Sequence, residues 1–346
     1  MQSHPDSEPK AILLIRLSAI GDIILTTPLI RVLRKRFPSA RIDFITKAKY
    51  ADLLRFHPAL SQIYEFPDHG GFAELKTARR WIAAQGYDII LDLHRNLRSY
   101  VLTWRQIHGP IPRMSKYAFR RFLLVKFGIN RYREVVPVYR RYLNVAGHLG
   151  VGDDGQGSEI FIPPDVFQRI NARLRESALP EGRFFALAPG AGFATKRWPI
   201  EYFIDLGRNL SKNNRVFCIL GAQQDRRLAD QIRRVLPEAL DFTGRLTLLE
   251  SAAVLSKARA LITNDTGLMH MAEAVKTPVA ALFGSTTREL GFFPMLPESV
   301  VIENPEIRCR PCSHIGRHQC PKGHFLCMRS LKPERVFRVL KESFWD

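Results

Sequence analysis

Four residues with chemical capacity share one turn: Asp265, Thr266, Gly267 and His270. An apolar run at 260–263 precedes them and a helix-compatible pattern at 268–275 follows, so the segment reads as strand, tight turn and helix. Thr266 is of the helix-capping type, and Gly267 lets a ligand approach the backbone. A helix N-terminus presents free N–H groups, which suits a phosphate or pyrophosphate, and the Asp265 carboxylate beside it suits a sugar hydroxyl. His270, one helical turn on, either faces the same opening or is a structural histidine.

Two more strand-exit turns carry reactive types. Arg16-Leu17-Ser18-Ala19-Ile20-Gly21-Asp22 ends with an acid at the start of a helix. There it stabilises the helix dipole by ~0.3–1 kcal/mol. In a cleft the same carboxylate can be a general base for a sugar hydroxyl. The other turn runs from Ala188-Pro189 through Gly190-Ala191-Gly192 to Lys196-Arg197-Trp198-Pro199. Its small residues admit a ligand, its cations can meet a phosphate, Trp198 is expected in the core, and Pro199 suits a first helical turn. The Walker pattern and Gly-x-Gly-x-x-Gly are both absent from it.

The elements that must position these turns alternate. Strands are expected at 11–17, 41–46, 63–66, 87–93, 184–188, 215–220, 260–263, 279–283 and 300–302, with helices between them, among them 21–36, 73–85, 165–177, 199–212 and 225–235. That rhythm predicts an α/β protein with parallel sheets covered on both faces. The Gly- and Asp-rich stretch 151–157 marks a loop near a domain boundary. The expected division is a disordered tail at 1–9 and an N-terminal acceptor-binding Rossmann-like domain at 10–178. A second, nucleotide-sugar-binding Rossmann-like domain follows at 179–330, with a Cys-rich segment at 309–327, and then a C-terminal helix at 331–346. Two doubly wound domains facing across a cleft are the simplest arrangement.

Composition sets the class. A chain of 346 residues, 46% hydrophobic and 25% charged, fits two soluble domains. Its apolar runs stay far below 18 residues and its N-terminus has no basic signal region, so a cytoplasmic protein without a spanning helix is expected. The net charge is +19, and residues 95–145 hold 12 Lys or Arg against the single acid Glu134. Such density points to a polyanionic partner: nucleic acid, anionic membrane or a phosphorylated substrate. Recognised nucleic-acid motifs are lacking, so no nucleic acid is expected. Of the five cysteines, Cys218 sits in an apolar strand and reads as inert core. Cys309, Cys312, Cys320 and Cys327 are spaced either for a four-thiolate structural zinc or iron site, with His314, His318 and His324 as spare ligands, or for reduced thiols packing a loop.

In this order, the motif 16–22, the loop 189–199, Asp265-Thr266-Gly267-x-x-His270 and Phe283-Gly284-Ser285-Thr286 together resemble the ADP-heptose:lipopolysaccharide heptosyltransferases. These form glycosyltransferase family 9 and have the GT-B fold, and the resemblance spans about 11–330. It implies an inverting transferase that needs no catalytic cofactor, with Asp22 as base. It implies donor contacts from Lys196, Asp265, Thr266, Gly267 and His270, and from Gly190, Ala191, Gly192, Gln224 and Leu246. At Ala191-Gly192 some members carry hydroxyl residues, so those side-chain contacts are lost here. Which of Gln223, Gln224 and Asp225 meets the ribose is open.

The implied donor is ADP-heptose and the implied acceptor is lipid-linked Kdo2-lipid A or a heptosylated core. The basic window gains a meaning from this: Arg95, Arg98, Arg113, Lys116, Arg120 and Arg121 can receive an anionic acceptor, with Tyr117, Phe119 and Phe122 interleaved. The enzyme is expected to rest peripherally on the inner face of the inner membrane. With base and donor on separate domains, closure would assemble the site. A relative using another sugar or a protein acceptor is the alternative enzyme reading, and a nucleic-acid-binding protein the non-enzyme one.

Overall fold

The computed structural model describes residues 8–107 and 109–345. Apolar stretches without polar alternation call for burial on both faces, as parallel strands provide. In one sheet β1 (Ala11–Ile15), β2 (Arg41–Lys47), β3 (Gln62–Phe66) and β4 (Ile89–Asp92) run parallel in the order β3-β2-β1-β4. The other holds β5 (Phe185–Ala188), β6 (Phe217–Ile219), β7 (Leu240–Asp241), β8 (Ala260–Asn264), β9 (Val279–Phe283) and β10 (Val300–Glu303). These are also parallel, in the order β10-β9-β8-β5-β6-β7.

Counted from β5, the second order is the doubly wound one, in which winding reverses between the adjacent strands β5 and β8. The first sheet reverses between β1 and β4 in the same way. Open α/β sheets bind ligands outside the strand carboxyl ends at such reversals. The turns after β1, β4, β5 and β8 are therefore the positions the topology sets aside for chemistry.

The chain forms two units. One is the chain through Lys116 together with Val138–Phe161; the other is Tyr117–Pro137 with Ile162–Asp346. In the first, Leu13, Ile15, Ile45 and Phe66 from the sheet pack with Ala78 and Ile82 of the helix Phe72–Gln85. In the second, Phe185, Leu187 and Ile262 pack with Phe203, Leu206 and Leu210 of the helix Ile200–Lys212 and with Val336 and Leu340 of the helix Pro333–Phe344. Each fully buried side chain of this size contributes roughly 1.5–3 kcal/mol.

The two units divide between 161 and 162, where a division at 178 is expected, and the second also takes Tyr117–Pro137. The helix Pro164–Glu176 buries Val166, Ile170 and Leu174 and packs on the helix Leu248–Ser256, so it belongs to the second unit. The preceding segment is tied to the first unit by ion pairs from Arg31 to Asp154 and Glu159, both 2.8 Å. The tail expected at 1–9 lies, except for Glu8 and Pro9, outside the described residues.

Candidate active site

In the first unit, β1 delivers Arg16 to the turn that precedes the short helix Ile20–Ile24, and Asp22 sits in its first turn. Arg16 Nη2 lies 2.7 Å from Asp22 Oδ2. Arg16 also donates through Nε to the Ser18 carbonyl and through Nη1 to the Leu93 carbonyl beyond β4, both at 2.7 Å. One guanidinium thus spans both strand exits at the reversal point. Tyr142 Oη donates to Asp22 Oδ1 at 2.9 Å. Burial opposes the charge of Arg16, but Asp22 and its neighbours outweigh that and hold its pKa up. Burial, with Asp22 adding to it, keeps the Tyr142 phenol well above its usual range, so it remains a donor. Asp22 is oriented from two sides while its side chain keeps 19% of its surface open, enough for a hydroxyl to reach it.

His94 completes this corner. Its main chain donates to Asp92 Oδ1, and its Nδ1 is a buried atom without a hydrogen-bond partner. Burial, then Arg16 and Lys116, push its pKa down to about 3, so the imidazole stays neutral in a cationic field.

In the second unit, the loop after β5 and the turn after β8 leave neighbouring strands. Asn264, fully buried, ties them together. Its Nδ2 donates to the carbonyls of Pro189 (2.9 Å) and Gly190 (3.2 Å), and its Oδ1 accepts from Trp198 N at 2.9 Å. Trp198 is core, as expected, and donates through Nε1 to the Leu331 carbonyl. Asp265, also buried, accepts at Oδ2 from Lys196 Nζ and from Thr286 Oγ1, each at 2.7 Å. Thr266 is the N-cap residue of the helix Gly267–Ala274, with Gly267 at its first position. His270, buried in that helix, lies beside Phe292. Arg310 braces the β9 exit by donating to the carbonyls of Gly284 and Thr286.

The chemistry follows from this donor set. An ammonium has three donors, so Lys196 can hold Asp265 and still meet a phosphate oxygen. Lys196 and Thr286 both engage Oδ2 of the carboxylate. Free N–H groups at the helix start add a further anion contact.

The remaining expected donor residues divide. A side chain at Gly190 would collide with the Asp225 carboxylate. Asp225 is itself buried and caps its own turn by accepting from Ala222 N, which leaves it underneath the loop, while Gln224 is exposed. Ala191 is buried, Gly192 is exposed and Leu246 half-buried.

The six expected acceptor residues fall on both units: Arg95, Arg98, Arg113 and Lys116 on the first, Arg120 and Arg121 on the second. Arg95 and Arg98 are exposed. Arg113 departs from expectation. It pairs with the fully buried Asp92, donates to Thr103 Oγ1 and stacks over Tyr100. A buried carboxylate needs that partner, so Arg113 is committed to the fold.

The four cysteines converge with His324, Thr195 and Ser285 around one pocket. Among the described residues, however, no three His, Cys, Asp or Glu side chains are placed to hold a metal ion, which gives the zinc or iron alternative no support. Cys309 Sγ stands 3.9 Å from His324 Nε2, the distance of a weak sulfur hydrogen bond. Burial, then the neighbouring thiols, raise Cys312 and push Cys327 up to about 11, which favours protonated sulfur. The segment packs against the loop after β5: Thr195 N donates to the Arg317 carbonyl, and Arg317 N to Thr195 Oγ1.

Arg16, His94, Tyr142, Asn264 and Thr286 escaped the sequence reading. Arg16 and Asn264 stand inside the motifs and were legible as buried polar residues at strand ends. Tyr142, 120 residues from Asp22, carried no signal.

The family model for Glycosyltransferase family 9 (heptosyltransferase) matches residues 76–322. Lipooligosaccharide heptosyltransferase 2 of Haemophilus influenzae is 27% identical over 353 residues, covering 96% of this chain and 98% of the relative. A family 9 glycosyl transferase from Veillonella parvula superposes with a TM-score of 0.79 at 24% identity, covering 97% of each chain. The E. coli heptosyltransferase WaaC with ADP-2-deoxy-2-fluoro heptose gives 0.68 at 19%, covering 96% of this chain and 99% of that one.

Proposed function

The chain belongs to glycosyltransferase family 9, and on that premise we propose that it moves L-glycero-D-manno-heptose from ADP-heptose to the inner core of lipopolysaccharide. It is a glycosyltransferase built of two parallel-sheet α/β domains, the GT-B fold. The observation that carries the reading is the Lys196–Asp265–Thr286 cluster at the start of a helix, at the winding reversal of the second sheet. It pairs a cation for a diphosphate with an acid for a sugar, as a nucleotide-sugar donor requires. The full-length similarity to a lipooligosaccharide heptosyltransferase supports heptose as that sugar.

In the proposed step an acceptor hydroxyl oxygen attacks heptose C1, the bond from C1 to the ADP oxygen breaks, and the hydroxyl proton passes to Asp22. Configuration inverts. Arg16 and Tyr142 hold the Asp22 carboxylate in its rotamer. Lys196, the amides of Thr266 and Gly267, and the helix dipole take the negative charge that develops on the leaving ADP. Asp265 orients the heptose, and His270 lies beside the phosphate turn. The lipid-linked acceptor, with its Kdo carboxylates and phosphates, is received by exposed cations, Arg95 and Arg98 first, and the enzyme works as a peripheral protein at the inner face of the inner membrane.

The test is ADP release from ADP-heptose with truncated lipopolysaccharide acceptors of defined length. Turnover on one acceptor length and none with another nucleotide sugar is expected. Turnover with a different sugar nucleotide, or with a protein acceptor only, overturns the reading.

A further inference from the structure

The helix Ala118–Phe127 is apolar on the side facing solvent. Phe119, Phe122 and Phe127 are 73%, 51% and 64% exposed, and Ile129, just past the end of the helix, 45%. By the 3.6-residue period, positions 119, 122, 123 and 126 share one face. Leu124, the buried residue of the helix, points the other way. Phe122 and Phe127 meet edge-on with ring centroids 5.7 Å apart. A soluble protein seldom leaves so many large aromatics together in water unless they meet something.

Charge says what they meet. Residues 117–137 hold Arg120, Arg121, Lys126, Arg131 and Arg133 against Glu134 alone. Arg120 and Lys126 are exposed on the same helix as the phenylalanines. A second copy of this surface would bring like charges together, whereas an anionic lipid surface would meet opposite charge beside the exposed apolar rings. Exposed phenylalanines with Arg120 beside them and Lys126, long enough to snorkel, among them suit a helix lying in a bilayer interface.

We infer that Ala118–Phe127 is a membrane-docking helix that sinks Phe119, Phe122 and Phe127 into an anionic bilayer while the surrounding cations hold lipid headgroups. The inference rests on the reading of a membrane-bound acceptor and names the element that reaches the membrane. The full chain is sedimented with phosphatidylethanolamine–phosphatidylglycerol vesicles and with phosphatidylcholine vesicles. Expected are binding to the anionic vesicles that weakens with added salt, little binding to the neutral ones, and at least a tenfold loss of partitioning in the Phe119→Ser/Phe122→Ser/Phe127→Ser variant. Should that variant fold poorly by circular dichroism, Phe122→Trp with brominated lipids decides, since an inserted indole is quenched and one in water is not.

Wild-type partitioning by a folded triple variant, an unquenched indole in Phe122→Trp, or a chain that ignores anionic vesicles overturns the inference. A wild-type dimer that the triple variant splits, by light scattering, reassigns the face to self-association. Wild-type ADP release with a delipidated acceptor is measured in parallel. Turnover without vesicle binding removes only the docking helix, and vesicle binding without turnover removes only the transferase reading.

Discussion

A carboxylate becomes a base through what holds it. Asp22 is gripped by Arg16 at 2.7 Å and Tyr142 at 2.9 Å, so its oxygens are aimed before substrate arrives. Removing the side chain outright would strand the guanidinium of Arg16, which is only 9% exposed, and the damage would mix stability with catalysis. Asp22→Asn keeps the shape and the bond from Tyr142 but cannot take a proton. It should lower kcat by ~10²–10⁴, the usual share of a general base, with the donor KM within a few-fold of wild type, and lower the melting temperature because the buried Arg16 loses its counter-charge. Near wild-type turnover in a folded Asp22→Asn enzyme would move the base elsewhere. His94, neutral and beside the same carboxylate, is then the next residue to test. Only the Arg16 half of this support lies within the motif. Arg16 and Asp22 stand six positions apart in sequence, but the partner that fixes the second oxygen comes from a helix 120 residues on.

At the scale of elements, a single buried amide joins the loop after β5 to the turn after β8. Asn264 satisfies two carbonyls and one N–H. Asn264→Ala leaves those groups buried and unpaired at ~1–3 kcal/mol each, so a loss of several kcal/mol of stability is expected, with the donor KM raised more than the acceptor KM. Equal rises in both would mean that the loop is not specifically a donor element. A second link is titratable. Glu273, in the same helix as His270, accepts from Met295 N and Leu296 N. Burial prevails over those bonds and raises its pKa from 4.5 to about 7. A carboxyl with a raised folded-state pKa contributes stability that is complete below pH 4.5 and lost as pH climbs through 7. Against Glu273→Gln, the wild type should therefore lose on the order of 3 kcal/mol between pH 4.5 and 8, measured as the difference in urea unfolding free energy. Parallel curves would contradict it. The strands that carry these turns were legible because their apolar runs are unbroken. β7, two residues long, was not, since no period can show over Leu240–Asp241. The helix Ala118–Phe127 was missed because its apolar face looks outward, against the rule by which helices are read.

For the whole molecule, both sheets set their candidate chemistry at the place where the strand order turns back: β1 and β4 in one, β5 and β8 in the other. The alternation of apolar runs and helical patterns along the chain predicts this arrangement. It placed the boundary too late because Pro164–Glu176 looks the same in either unit until its partner, Leu248–Ser256, is known. The charge of +19 is the one property that no single site explains. Pairs such as Arg113 with Asp92, and Arg31 with Asp154 and Glu159, add nothing to it, so the excess lies in other cations. What is left outward near Asp22 includes Arg95 and Arg98, both exposed, together with Lys116, which bears on His94. Exposed cations that grip carboxylate or phosphate act through charge-assisted bonds worth ~1.5–3 kcal/mol each, and salt screens the attraction beyond ~8–10 Å. Arg95→Gln/Arg98→Gln should accordingly raise the acceptor KM by roughly 30-fold or more at low salt, leave the donor KM unchanged, and flatten the rise of acceptor KM with ionic strength. The same KM shift with an unaltered salt slope would mean that these arginines act by shape. No shift at all would place the acceptor's charges against another surface of the protein.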